Sequence, residues 1–222
     1  MKSTALLITL LLINVVFYFT MLVRNLFRNT IGPYIKVYRL EITFLGISLI
    51  QYIMNLIIEN SPYSDTYGSL IMVQFRFVCS LLTSPLVLYS YYQIATDDGY
   101  KGSFSILLVA VLVMIFAGVI REYASHVVWL KQLTYLIIAA CFGLIVWRLS
   151  LIMKYFKNFH SNAGDARYRL GYFLIFGWVL YLGSMFISRD NELKFIVYAL
   201  GDFITRALYS LALNTALVKP II

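Results

Sequence analysis

KFIVYALGDFITRALYSLALNTALVK, Lys194 to Lys219, is apolar enough to cross a bilayer, yet it carries an acid and a base in its middle. Asp202 and Arg206 stand four residues apart, so on a helix they share one face. A charge at bilayer depth costs from about 2.5 kcal/mol upward, and such residues normally face a protein interior and mark function. An acid four residues before a base is the favourable order for a helical pair, so the two charges can partly neutralise each other.

The rest of the chain has the same character. Of 222 residues, 61% are hydrophobic and 13% charged, and the mean hydropathy is +0.82. These values belong to integral membrane proteins. A spanning helix needs about 20 mostly apolar residues. Seven such segments follow one another: Thr4–Val23, Leu40–Ile58, Leu70–Thr96, Phe104–Ile120, Ala124–Trp147, Tyr168–Ser188 and Lys194–Leu217. They predict one all-α domain over residues 1–222, a multi-pass bundle of seven transmembrane helices in the plasma or cell membrane, with lipid as its surroundings. Lys2 before the first segment resembles a signal peptide, but the run is long and no small-residue cleavage site follows it.

Loop charge sets the expected orientation. With the N-terminus outside, the inner connections hold Arg24, Arg28, Lys36, Arg39, Lys101, Arg148, Lys154, Lys157, Arg167, Arg169 and Lys219. The outer ones hold only Lys2, Arg121, Arg189 and Lys194. The positive-inside rule therefore predicts N-out and C-in. The same bias accounts for the net charge of +8 without nucleic acid. Cys79 and Cys141 lie inside apolar segments and make neither a disulfide framework nor a metal spacing. His126 and His160, near segment ends, read as solvated. Tyr89, Tyr91 and Tyr92 read as an interfacial aromatic belt. No Walker loop, GxGxxG, catalytic triad or zinc spacing is present, so enzyme activity has no support.

Three further stretches carry a resemblance. QFRFVCSLLTSPLVLYSYY, Gln74 to Tyr92, is similar to the third helix of proteorhodopsin-like light-driven pumps, whose pattern is F-R-[YF]-x-D-W-L-L-T-x-P-L. Arg76, Phe77, Leu81, Leu82, Thr83, Pro85 and Leu86 match it. IFGWVLY, Ile175 to Tyr181, resembles the sixth helix of that family. LLVAVLVMIFAGVIRE, Leu107 to Glu122, resembles the fourth. The surroundings of Asp202 resemble the seventh. The chain thus resembles the microbial rhodopsins over four helices in order.

The resemblance implies a retinal cofactor and a set of roles. Arg76 and Asp202 match counterion residues. Thr83, Ser84 and Pro85 fall beside the chromophore on the third helix, and Trp178 and Tyr181 match pocket aromatics. The departures are as telling. The proton acceptor, an Asp in the pumps, is Cys79. The neighbouring Trp is Ser80. The cytoplasmic proton donor is Ser90. The sixth-helix proline is Leu182. The lysine that binds retinal as a Schiff base is Arg206.

A guanidinium stays protonated and is a poor nucleophile, so covalent retinal is not expected at Arg206. Lys131, near the end of its segment, reads as a snorkelling lysine rather than a substitute linker. No Asp or Glu lies between Leu70 and Thr96, and a buried thiol replaces a carboxylate poorly. The expectation is a rhodopsin-fold protein that is not a retinal-linked proton pump. It would act through assembly, with copies of itself or with related rhodopsins, or as a passive ion path. The alternative is a light-driven or light-gated transporter, of anions more than protons, or a photosensor. That requires retinal bound without a bond, or Arg206 as an engineered change, which leaves Cys79, Ser80 and Leu182 unexplained. In either case Asp202 is expected to be the partner of Arg206, as the only carboxylate clearly at mid-depth.

Overall fold

The computed structural model describes residues 5–27, 34–60, 69–123, 127–158, 162–187 and 192–217. Lys2, Arg28, His126, His160, Arg189 and Lys219 lie outside these residues. Six helices run in sequence: α1 Ala5–Leu26, α2 Ile35–Glu59, α3 Ser69–Asp97, α4 Ser105–Tyr123, α5 Val128–Lys157 and α6 Asn162–Ser184. A seventh follows in three joined parts: α7 Glu192–Asp202, a π-helical turn Phe203–Leu208 and α8 Tyr209–Ala216. The described residues contain no strand. In lipid each backbone polar group must be satisfied within its own segment, and helices accomplish that.

Among the described residues, six helices are long and apolar enough to cross a membrane: α1 to α5 and the seventh, over Leu193–Asn214. The sixth falls short because Asp165, Arg167 and Arg169 occupy its first turns and shorten the apolar run. Several helices overrun the apolar segments. α2 begins five residues before Leu40, and α5 continues ten residues past Trp147 through Lys154 and Lys157. Polar turns at the membrane surface continue a helix whose backbone is already bonded.

The seventh helix packs against both α1 and α6. It approaches α6 closely, because both partners are small where they meet. A Cβ on Gly177 would fall 2.0 Å from the Thr205 methyl group, and one on Gly201 would fall 3.0 Å from the Tyr181 ring. Small residues that let backbones approach are the usual device of membrane helix packing. The π turn widens the seventh helix by one residue: the Tyr209 amide reaches back five residues to the Ile204 carbonyl. Where the widening starts, the Tyr18 hydroxyl donates to the Asp202 carbonyl at 2.9 Å.

Candidate functional site

Asp202 is fully buried at the junction between α7 and the π turn. Its Oδ2 accepts from Tyr52 at 2.8 Å and Gln51 at 3.4 Å, both on α2, and lies 3.0 Å from Arg76 Nη1 on α3. Its Oδ1 accepts from the Tyr181 hydroxyl on α6 and lies 3.1 Å from Arg206 Nη2. One carboxylate therefore joins four helices. Arg206 spends its other terminal nitrogen on α2, donating to Gln51 Oε1 at 3.0 Å and Ser48 Oγ at 3.3 Å. The Gln51 amide thus serves both charges.

The sequence alone pairs Arg206 with Asp202 and no other residue. Arg76 shares the same acid, so the cluster is a triad of two bases and one acid with a residual positive charge. The second guanidinium has a further partner in the Tyr198 ring, with Cζ 3.8 Å from its centroid. A cation desolvated over an aromatic face is held by about 2 kcal/mol. Arg76 Nη2 is buried without a hydrogen-bond partner among the described residues. Arg76 borders two small cavities. One, of about 60 Å³, is lined by Ser80, Ser84, Met114, Trp178, Tyr181 and Tyr198 among others. The other, of about 10 Å³, lies toward Tyr52 and Asn55.

The remaining residues singled out in the sequence scatter around this centre. Cys79 is buried within electrostatic reach of Arg206, Asp202 and Arg76. Ser80, Ser84, Trp178 and Tyr181 share the larger cavity, and the Trp178 and Tyr181 rings meet edge-on at 6.0 Å. Thr83 donates to the Cys79 carbonyl at 2.8 Å, two residues before Pro85, which lies inside α3. Leu182 packs against the core without lining the cavity. Ser90 is elsewhere: it donates to the Val87 carbonyl and pairs with the Tyr209 hydroxyl at 2.8 Å. Of the three tyrosines expected in an interfacial belt, Tyr91 is fully buried against Phe156. Only Tyr89 and Tyr92 gather at the surface, around Phe104.

Three polar clusters are not apparent from the sequence. Glu41 on α2 is fully buried and accepts from Ser210 and from Asn214 Nδ2, the latter at 3.1 Å, so Asp202 is not the only carboxylate in the interior. Glu122 on α4 binds Lys194 and, at 2.7 Å, Arg121, and all three are buried. Arg121 and Lys194 are therefore not solvated loop bases: the acid between them holds them in the bundle. Asp98 takes an ion pair from Arg167 and a hydrogen bond from Tyr34 at 3.2 Å. Burial raises the Tyr34 phenol pKa above its ordinary value, while the Arg167 guanidinium pulls it the other way. A signal was present for the first cluster. Asp202, Arg206, Ser210 and Asn214 recur every four residues on the seventh helix. Glu41, Ser48, Tyr52 and Asn55 form a matching polar stripe on α2.

Comparison with protein-family models and with curated proteins gives no match. Solved structures do match, and they define the fold as that of the microbial rhodopsins. Exiguobacterium sibiricum rhodopsin superposes with a TM-score of 0.80 at 16% identity, covering 97% of this chain and 98% of its own. Thermophilic rhodopsin gives 0.80 at 16%, covering 95% and 92%. A blue light-absorbing proteorhodopsin from Med12 gives 0.67 at 22%, covering 95% and 94%. The chain is thus a multi-pass membrane protein of rhodopsin fold, surrounded by a lipid bilayer.

Proposed function

We propose that this protein works in the cell membrane without covalently bound retinal, and that it acts through assembly with copies of itself or with pigmented relatives. The observation that carries the absence of a retinal bond, and so leaves assembly as the role, is the Arg206 guanidinium, buried at the centre of the bundle and bound to Asp202, Gln51 and Ser48. Schiff-base formation needs a nucleophilic amine at the helix, and a guanidinium is not one. The space argues the same way. Ligand sites usually measure about 300–1,000 Å³, whereas the cavity between Trp178 and Ser80 measures about 60 Å³. The residues present do not fit retinal as a bonded cofactor.

The triad also weighs against a passive cation path. Its residual charge is positive, and its carboxylate is surrounded by donors. A second reading has one specific observation in its favour: Arg76 Nη2, buried and unpartnered among the described residues beside two cavities, would suit a small anion. Light-driven or light-gated anion movement would still require retinal held without a bond. One experiment separates the readings. Purified protein is mixed with all-trans retinal, washed, and its visible spectrum recorded. No band shifted to the red of free retinal is expected. A stable red-shifted band that survives washing overturns the proposal, whereas retinal retained through washing without a red shift favours the second reading. Arg206→Lys should bind retinal better than the native chain.

A further inference from the structure

A groove of about 390 Å³ runs along the outer surface of the bundle between α4 and α5. Ile106, Val109 and Val113 form one wall, and Ala140, Cys141 and Leu144 the other. The small side chains on α5 keep the slot open, while Val109 and Val113 are 59% and 42% exposed along its length. The groove begins at Ser105, the first residue of α4, where the apolar surface ends. A basic, hydroxyl-bearing corner occupies that end. Arg148, one turn beyond Leu144, donates from Nη2 to the Ser103 carbonyl at 2.7 Å, which fixes its guanidinium at the mouth. The exposed Ser103 and Ser105 hydroxyls are hydrogen-bonded to each other at 2.7 Å. Trp147 stands exposed beside Arg148, its ring centroid 5.6 Å from the guanidinium carbon. Lys101 is exposed in the same connection.

We infer that this slot holds an acyl chain of an anionic phospholipid, with the phosphate seated against Arg148 and the two serine hydroxyls. The dimensions select the occupant. From Ser105 to Val113 the helix rises roughly 12 Å, so the mean section of the groove is roughly 30 Å², against roughly 80 Å² for a helix about 10 Å across. A hydrocarbon chain fits inside the slot, whereas a neighbouring helix could only lay side chains across it. The chemistry selects the head group. An apolar slot ending on a fixed guanidinium at the membrane surface favours a negatively charged lipid, by about 1 kcal/mol per basic residue, or about fivefold.

Native mass spectrometry of the full chain in detergent tests this, using phosphatidylglycerol and phosphatidylcholine with identical acyl chains. The anionic lipid should be retained about fivefold more strongly. Arg148→Gln should bring that ratio close to one, and Arg148→Lys should keep most of it. Val109→Trp, at an exposed position that fills the slot, should weaken both lipids without altering thermal stability. Equal retention of the two lipids by the native chain would overturn the inference. So would an unchanged ratio in Arg148→Gln, or binding of glycerol phosphate as tight as that of the whole lipid. A lipid-independent dimer lost in Val109→Trp would show that a second copy covers the groove, and would refute the lipid assignment.

Discussion

Replacing Asp202 by Asn removes the one acid that two buried guanidiniums share. Arg76 Nη1 lies 3.0 Å and Arg206 Nη2 3.1 Å from its oxygens, and the side chain is fully buried. Breaking a buried pair from one side costs about 3–5 kcal/mol, because a charge is left without compensation. Here two cations are stranded together, so the upper part of that range applies. Arg206→Met should behave differently. It leaves Arg76 and Asp202 as a neutral pair and loses mainly the bonds to Gln51 and Ser48, at about 1–3 kcal/mol. At roughly 2–4 °C per kcal/mol for a chain of this size, Asp202→Asn should lower the Tm by roughly 10 °C or more, and Arg206→Met by a few degrees. The double variant should fall between them, since only Arg76 then lacks an acid, and that guanidinium keeps the Tyr198 ring. The assay is thermal unfolding in one detergent, followed by helical circular dichroism at a fixed scan rate, because irreversible unfolding reports a rate. The shared-acid assignment fails if Arg206→Met costs as much as Asp202→Asn. It also fails if the double variant loses the sum of the two single losses, since uncoupled residues add.

Three further outcomes are expected in the same assay. Gly177→Ala should destabilise by about 1–3 kcal/mol through overpacking, because its methyl would meet Thr205 at 2.0 Å; Gly183→Ala, with nothing within 4 Å, should be neutral or mildly stabilising. Asn214→Leu removes donors to Glu41 and to the Ser210 carbonyl, and should cost about 1–3 kcal/mol; no change in Tm would show that the inner cluster carries no stability. Glu122→Gln should destabilise by about 3 kcal/mol or more because Lys194 and Arg121 lose their acid, and Lys194→Met in that background should restore part of the loss; equal Tm values for the single and double variants would contradict the pairing.

Much of this molecule is legible in its sequence. Seven apolar runs give seven helices because length and hydropathy are the quantities a bilayer selects. Asp202 and Arg206 stand out because a charge inside such a run is too costly to persist without a partner or a role. Less legible is whatever depends on a partner distant in sequence. Glu41 sits in the second apolar run, yet its meaning comes from Ser210 and Asn214, which lie on the last helix. Arg121 and Lys194 flank their segments as loop bases do, and only Glu122, brought between them by packing, shows otherwise. The π turn has no local signature either: Phe203 to Leu208 contains neither proline nor glycine. Its only trace is the four-residue spacing of the polar groups on both sides of it.

The placement of the buried charges has a physical logic of its own. Within lipid, apolar side chains gain little by meeting one another, so helix association rests on close packing and on polar contacts. The ion clusters here each join different helices. Glu122 ties α4 to α7, Asp202 ties α2, α3 and α6 to the seventh helix, and Asp98, next to the end of α3, holds Arg167 of α6 and Tyr34 before α2. Glu41 adds a further tie between α2 and α8. The seventh helix takes part in three of these four, and in the ion pairs among the described residues three acids serve five bases. A bundle arranged in this way resists the displacement of that helix, because any shift separates several buried charges at once, each at a cost of kcal/mol. Arg206, bound to Asp202, Gln51 and Ser48, is one more cation in this lock.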